Sequence, residues 1–292
     1  MGNKIVITAA LTGGATRKEQ NPAVPYTTEE FVAEAKRCQE AGAAVVHIHF
    51  RDPKSGWQTF DPAIMQEVTQ AIQEETNVIL NLTTGGMGPG IDLAARKQTV
   101  THMAPEMCSL NPGATNFCFA NFKDGSIIYD FIYDNPFKAT IEFGQIMRTK
   151  GIKPEMECFA ISHVHNVDFF QQYYNLLETP LHFSFVFGVL GATRFDADSL
   201  AGFIHAIPAD ATWQGIGVGA SCFPVALAAA AFGGHIRVGL EDNIYIDPST
   251  RRLSKGSWDQ VEKAVQIGRL VGREPATPDE ARQIYHIAKR AS

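Results

Sequence analysis

Along this chain, short runs rich in β-branched and apolar residues alternate with segments of helical periodicity, and the alternation is completed eight times. The apolar runs fall at residues 4–11, 44–50, 77–82, 107–110, 153–159, 182–187, 211–218 and 235–240. A strand followed by a helix, repeated, builds a parallel sheet covered by helices. Eight such units predict an α/β fold of the closed (β/α)8 barrel type. The rival is an open doubly wound sheet, which carries Gly-x-Gly-x-x-Gly after its first strand. Here Thr12-Gly13-Gly14-Ala15 does not complete that motif.

Helix starts support the alternation. Thr27 with Glu30 three residues on is a capping box, and Asp61-Pro62 places proline in a first turn. Further helices are expected at 91–99, 138–150, 167–177, 197–206 and 225–232. Two more, at 255–271 and 278–290, close the barrel at its C-terminal end. An aromatic-rich stretch at 117–137 interrupts the pattern. Its Phe117, Phe119, Phe122, Tyr129, Phe131, Tyr133 and Phe137 suit an insertion, a subunit contact or a pocket wall.

The 292 residues lie near the upper limit of one hydrophobic core. No linker or low-complexity tract divides them, so a single catalytic domain over 1–292 is expected. Lys and Arg are scattered through a chain of net charge −6, which argues against a nucleic-acid partner. No apolar run approaches the roughly 18–20 residues of a membrane span. The apolar start at 4–11 is too short for a signal peptide. Five cysteines without a Cys-x-x-Cys pair read as reduced thiols in the cytoplasm.

In a barrel the functional site lies at the C-terminal ends of the strands. Those ends carry Thr12, then His47, His49, Arg51 and Asp52, then Asn81, Thr83 and Thr84, then Ser109 and Asn111, Glu157, and Arg237, Glu241 and Asp242. His47 and His49 are two apart on a strand and share a face. Two imidazoles on one face suit a metal if a further ligand arrives. Barrel closure brings Glu241 near them, and two histidines with a carboxylate suit Zn²⁺ or another divalent metal. Arg237 is four residues before Glu241, so both face inward if the strand stays regular. It needs an anion, either Asp242 or a substrate carboxylate. Asp242 beside a cation and a metal would be ionised and able to act as a base. Thr83, Ser109 and Asn111 offer donors to a carboxylate or oxyanion. His163 and His165 form a second His-x-His just before the helix at 167–177 and read as supporting residues, with Ser162 or Asn166 as the cap.

The segments Thr8-Ala9-Ala10-Leu11-Thr12-Gly13, Val46-His47-Ile48-His49 with Arg51-Asp52, Thr83-Thr84-Gly85-Gly86, Leu110-Asn111-Pro112-Gly113 and Gly234-His235-Ile236-Arg237-Val238-Gly239-Leu240-Glu241-Asp242-Asn243 together resemble the β-keto acid cleavage enzymes. The resemblance runs from residue 4 to about 288. It implies a metal-dependent barrel, usually a homotetramer with zinc, that turns a β-keto acid and acetyl-CoA into acetoacetate and a new acyl-CoA. It implies that His47, His49 and Glu241 hold the metal and that Arg237 with Asp242 is the dyad that deprotonates the keto acid. Thr83 and Ser109 match positions that hold the acid, with Asn111 close by. Members acting on 3-keto-5-aminohexanoate place a glutamate where this chain has Ala15, and Ala160 aligns with a second acidic position. The resemblance therefore implies an uncharged, apolar keto acid here, or a quaternary ammonium held by an aromatic cage.

The competing reading is a metal-dependent hydrolase of the amidohydrolase type, which also uses a His-x-His. Such enzymes carry it on the first strand and add histidines on the fifth and sixth. Here the pair is on the second strand, and the sixth ends in Phe187-Gly188.

Overall fold

The computed structural model describes residues 3–88, 90–121 and 123–288. Eight parallel strands close into a barrel. They are β1 (Ile7–Thr12), β2 (Val45–Ile48), β3 (Ile79–Leu82), β4 (Met107–Leu110), β5 (Lys153–Cys158), β6 (His182–Phe187), β7 (Thr212–Gly217) and β8 (His235–Val238). Closure is made where β8 pairs β1, with Arg237 opposite Thr8 and Val238 opposite Ala9. Helices α1 (Thr28–Ala41), α2 (Pro62–Glu75), α3 (Leu93–His102), α4 (Phe137–Lys150), α5 (Ile161–Tyr174), α6 (Ala197–Ala206), α7 (Cys222–Ala231) and α8 (Ser257–Leu270) follow the strands in turn. The main apolar cluster lies between strands and helices, from Ile7 and Phe31 through Phe183 and Phe203 to Val261.

A ninth helix, α9 (Pro278–Tyr285), seals the N-terminal end. Its Ala281 and Tyr285 pack with Val6, Ala44, Val45, Ile79 and Met107, which begin or precede the strands. The barrel interior above this floor is polar. Buried Glu155 of β5 accepts hydrogen bonds from Asn81 Nδ2, from Ser184 Oγ at 2.5 Å and from Gln214 Nε2 at 2.5 Å. Thr8 Oγ1 in turn donates to Gln214 Oε1 at 2.9 Å. Every donor comes from a different strand, so the network ties the staves together.

Local signals and structure part company at the start of α5. The capping box at Thr27 and Glu30 is present, as is one at Thr277 and Glu280. However, α5 starts at Ile161, six residues before the expected 167, with Ala160 at its N-cap and no side-chain cap. Tertiary bonds replace the cap: Phe159 N–H donates to His163 Nδ1 at 3.3 Å, and His163 Nε2 lies 3.2 Å from Ala114 O. His163 and His165 therefore ride on the helix rather than ahead of it. The aromatic insertion is a two-stranded antiparallel hairpin, Thr115–Ala120 against Ile127–Tyr133. Phe117, Phe119, Phe131 and Tyr133 face the cavity at the barrel mouth. Tyr129 is half exposed, Phe137 packs on Phe170 of α5, and Phe122 lies outside the described residues.

Candidate metal centre and its surroundings

His47 belongs to β2 and His49 follows it, held by His49 N–H to Thr12 O at 3.2 Å. Their rings lie edge to face, centroids 5.3 Å apart. The third component does not arrive by strand alternation. Strand β8 ends at Val238, and Gly239 turns the chain with φ +144°. A Cβ there would sit 2.1 Å from Ala10 O, so only glycine fits. Asp242 N–H and Asn243 N–H both return to Gly239 O. This tight turn, rather than a regular strand, folds Glu241 and Asp242 back onto Arg237. Gly13 completes the seat, since a Cβ there would lie 2.6 Å from Glu241 Cγ.

His47 Nε2 lies 3.5 Å from Glu241 Oε2, and His49 Nε2 lies 3.4 Å from Glu241 Oε1. One donor atom from each of the three residues falls within 4.8 Å of the others. Ligands about 2.0–2.1 Å from a tetrahedral ion stand roughly 3.3 Å apart, close to these spacings. Buried His47 Nδ1, His47 Nε2, His49 Nδ1 and Glu241 Oε2 have no hydrogen-bond partner among the described residues. Orphaned buried polar atoms are costly. The two Nε2 atoms converge on the Glu241 carboxylate, and the orphaned His47 Nε2 and Glu241 Oε2 between them fit a divalent cation. Burial, reinforced by Arg237 and His49, pushes His47 well below the usual imidazole range, against the pull of Glu241. Its neutral form is the one a metal binds. Burial pushes Glu241 up, but Arg237, His49 and His47 outweigh it and hold the carboxylate well below its usual range.

Arg237 is the hub. Its Nε and Nη2 donate to Asp242 Oδ2 and Oδ1 at 2.9 and 3.1 Å, a bidentate pair. Nη2 also reaches Glu241 Oε1 at 2.6 Å, and Nη1 reaches Glu157 Oε1 at 3.0 Å. The anion that buried Arg237 was expected to need is thus Asp242 together with two glutamates. Burial, opposed by Arg237, pushes Asp242 up to about 6. Burial and neighbouring Glu155 push Glu157 up to about 8.

Arg51, expected at the rim, is instead fully buried. It donates to Thr12 Oγ1 from Nε and Nη2, to Gly13 O, to Thr16 O at 2.8 Å and to Gly56 O at 2.7 Å. It wires the loop after β2 to the loop after β1, which holds Gly13 under Glu241. Asp52 accepts from Ser55 N–H within its own turn.

A cavity of about 590 Å³ opens above the cluster. His49, Thr83, Glu157, Arg237, Glu241, Asp242 and Ala15 line it, as do Phe117, Phe131, Tyr133 and Phe159. Ser109, Asn111 and Ala160 do not. Ser109 is fully buried, with its Oγ accepting from Thr84 N–H at 3.2 Å. Asn111 reaches the site indirectly, donating from Nδ2 to Tyr133 Oη at 2.9 Å and Glu157 Oε2 at 3.3 Å. Ala160 sits at the α5 N-cap, one residue beyond cavity-lining Phe159. Glu157 and Tyr133 were not singled out as site residues from the sequence. Glu157 stood at a predicted strand end, which was the one available signal for it.

This fold and this site define a closed (β/α)8 barrel whose mouth gathers three candidate metal donors and a carboxylate-clamped arginine. The chain belongs to the beta-keto acid cleavage enzyme family, whose model matches residues 4–287. It is 38% identical over 290 residues to the 3-keto-5-aminohexanoate cleavage enzyme of Fusobacterium nucleatum, covering 99% of this chain and all of that one. It is 33% identical to the 3,5-dioxohexanoate:acetyl-CoA acetone transferase of Paraburkholderia graminis, over 99% of this chain and 97% of that one. With the 3-oxoadipate:acetyl-CoA acetyltransferase of Cupriavidus necator it shares 31%, over 98% and 96%. Among solved structures, the ternary complex of ObcA with a C4-CoA adduct and oxalate superposes with a TM-score of 0.74 at 22% identity. That match covers 91% of this chain and 68% of ObcA; apo ObcA gives 92% and 66%, so this chain spans about two thirds of ObcA's length.

Proposed function

We propose that this chain, acting as one catalytic domain, converts a β-keto acid and acetyl-CoA into acetoacetate and a new acyl-CoA. The observation that carries this reading is the clamp of Asp242 on Arg237 directly beside the His47, His49 and Glu241 donors. His47, His49 and Glu241 hold a divalent metal, zinc by donor type. When bound, the metal supplies Lewis acidity that stabilises enolate charge. Asp242 removes a proton from C2 of the keto acid, with Arg237 fixing its orientation and charge. C2 then adds to the acetyl-CoA carbonyl, CoA passes to the original keto carbon, and the bond between that carbon and C2 breaks. C2 takes the proton back from Asp242, so that the C1–C2 unit leaves with the acetyl group as acetoacetate and the remainder leaves as acyl-CoA. Glu157, high in its titration, shares Arg237 and stands ready to exchange a proton in the same cavity.

The keto acid is uncharged at its far end. Ala15 lines the cavity and offers no counter-charge to an amine. Phe117, Phe131, Tyr133 and Phe159 pack on one another, with Phe117 centroid separations of 5.3, 6.3 and 6.0 Å to the other three. The rings pack into one apolar wall of the cavity, which supports an apolar substrate over a quaternary ammonium. We further place the enzyme in the cytoplasm as a homotetramer. The five cysteines are free. Exposed Ile127, Ile128 and Ile132 on the hairpin, and Phe169, Tyr173 and Tyr174 on α5, suit subunit contacts. No helix among the described residues is long and apolar enough to cross a membrane.

The test is a panel of β-keto acids with acetyl-CoA, scored for acetoacetate and acyl-CoA. CoA-dependent turnover of uncharged members is expected. Hydrolysis without CoA would favour the amidohydrolase reading.

A further inference from the structure

Strands β2 and β3 pair in register, with Val45 opposite Ile79, Val46 opposite Leu80 and His47 opposite Asn81. Val46 and Leu80 belong to the apolar cluster under the helices, while Val45 and Ile79 pack on the floor inside the barrel. Side chains two apart on a strand share a face, so His47 and Asn81 both point into the barrel, side by side. Both are buried. Burial lowers His47 most, and the Asn81 side chain lies close enough to the ring to pull the other way.

The orientation of the Asn81 amide is set from behind. Its Nδ2 donates to Glu155 Oε2. Ser184 Oγ and Gln214 Nε2 donate to the other carboxylate oxygen, both at 2.5 Å. Thr8 Oγ1 fixes the Gln214 amide in turn, donating to its Oε1 at 2.9 Å. Turning the Asn81 amide over would set a carbonyl against a carboxylate, two acceptors face to face. Oδ1 must therefore face away from Glu155. It is buried without a hydrogen-bond partner among the described residues, and so is His47 Nδ1. An orphaned acceptor and an orphaned ring nitrogen thus stand on paired residues. A neutral imidazole carries one proton. On Nδ1 that proton satisfies Oδ1 and leaves the Nε2 lone pair toward Glu241 Oε2, 3.5 Å away. On Nε2 it would strand Oδ1 and block the nitrogen that faces the other two donors.

We propose that Asn81 is a positioning residue for His47: its Oδ1 accepts the Nδ1 proton, so that Glu155, through the Asn81 amide, decides which imidazole nitrogen faces the cation site. The proposal rests on the metal reading above and assigns a residue behind the donors rather than among them. The test is zinc affinity, measured by competition with a chromogenic chelator on wild type, Asn81→Leu and Asn81→Asp, with melting of the metal-free proteins alongside. Leucine keeps the volume and removes both bonds. An aspartate that shares one proton with Glu155 donates to it from one oxygen and accepts from His47 with the other, which preserves the polarity. Asn81→Leu should bind zinc about 10- to 100-fold more weakly, the usual cost of losing the hydrogen bond behind a metal-bound histidine, while Asn81→Asp should stay within about threefold of wild type. Wild-type zinc affinity in Asn81→Leu would overturn the assignment. A loss that Asn81→Asp shares in full would make Asn81 a packing residue and overturn it equally. Should the leucine variant fail to fold, the zinc-loaded wild type decides. NMR on isotope-labelled histidines should then find the His47 Nδ1 proton hydrogen-bonded, and an unbonded Nδ1–H would overturn the assignment. A wild-type protein that binds no zinc would overturn the metal reading, and this assignment with it.

Discussion

The barrel carries a pair of buried histidines at each end, and the two pairs are built to opposite ends. At the mouth, three ring nitrogens of His47 and His49 are buried without a hydrogen-bond partner among the described residues. At the floor, His182 Nδ1 lies 2.9 Å from Thr212 Oγ1, and His235 Nδ1 accepts from Val6 N–H at 3.1 Å. Both floor rings also pack on Tyr285, at 4.2 and 5.6 Å between centroids. The floor pair is satisfied within the fold and closes the barrel. Among the described residues the mouth rings meet the Glu241 carboxylate, and Arg51 ties together the two loops that seat them. An unsatisfied buried polar cluster costs stability unless something binds it. Equal residue types thus separate into structural and functional by what their nitrogens touch.

That contrast predicts unequal responses. The largest effect is expected from Asp242→Asn, which leaves a partner for Arg237 but removes the base. Turnover should fall by about 10²–10⁴-fold, the usual contribution of a general base, with metal content unchanged. A loss smaller than tenfold would move the base elsewhere, with Glu157 the next candidate. Next is His49→Ala at the mouth. Metal content per chain should drop along with activity, with affinity at least about 100-fold lower. An unchanged metal content would refute the ligand assignment. The matching floor change, His235→Ala, should leave metal content intact and lower only the melting temperature.

The floor also sets a pH response. Burial depresses both His182, well below its normal range, and His235, to about 3. The unfolded chain titrates these groups near 6.5 and binds their protons first. Their contribution to stability is therefore complete above about pH 6.5 and is lost as pH falls toward the folded values. Each histidine costs about 1.4 kcal/mol per pH unit in that window. Denaturant midpoints at pH 7.5 and 5.5 should differ in that direction, and a His235→Ala variant should show a shallower slope. The smallest effect concerns substrate choice. Ala15→Glu should raise turnover of 3-keto-5-aminohexanoate relative to an uncharged keto acid, by about the tenfold a single exposed counter-charge can give. Wild-type turnover of the two at equal rates would sink the preference.

How far the sequence reached depended on whether a feature was local. The barrel was legible because strand and helix periods alternate eight times. The His47 and His49 face was legible because strand geometry alone puts them together. Arg237 and Glu241 were expected to meet, but through regular alternation; the actual cause is the Gly239 turn, a backbone event that spacing does not encode. The start of α5 was misplaced because its first turn is held by contacts to Ala114 and Phe159 rather than by a cap. Glu157 lies 80 residues from Arg237 and looks like any acid at a strand end until the barrel closes. Tyr133 was one of many aromatics in an insertion. Only the fold of the hairpin decides which rings face the cavity and which face out.

The most direct measurement is acetoacetate formation from an uncharged β-keto acid, by protein stripped of metal with a chelator and then reloaded with zinc, with and without acetyl-CoA. Turnover should require both zinc and acetyl-CoA, with acetoacetate and acyl-CoA formed in equal amounts. Turnover that survives metal removal, or that proceeds without acetyl-CoA, would contradict the assignment of the mouth histidines to a metal-dependent, CoA-using cleavage.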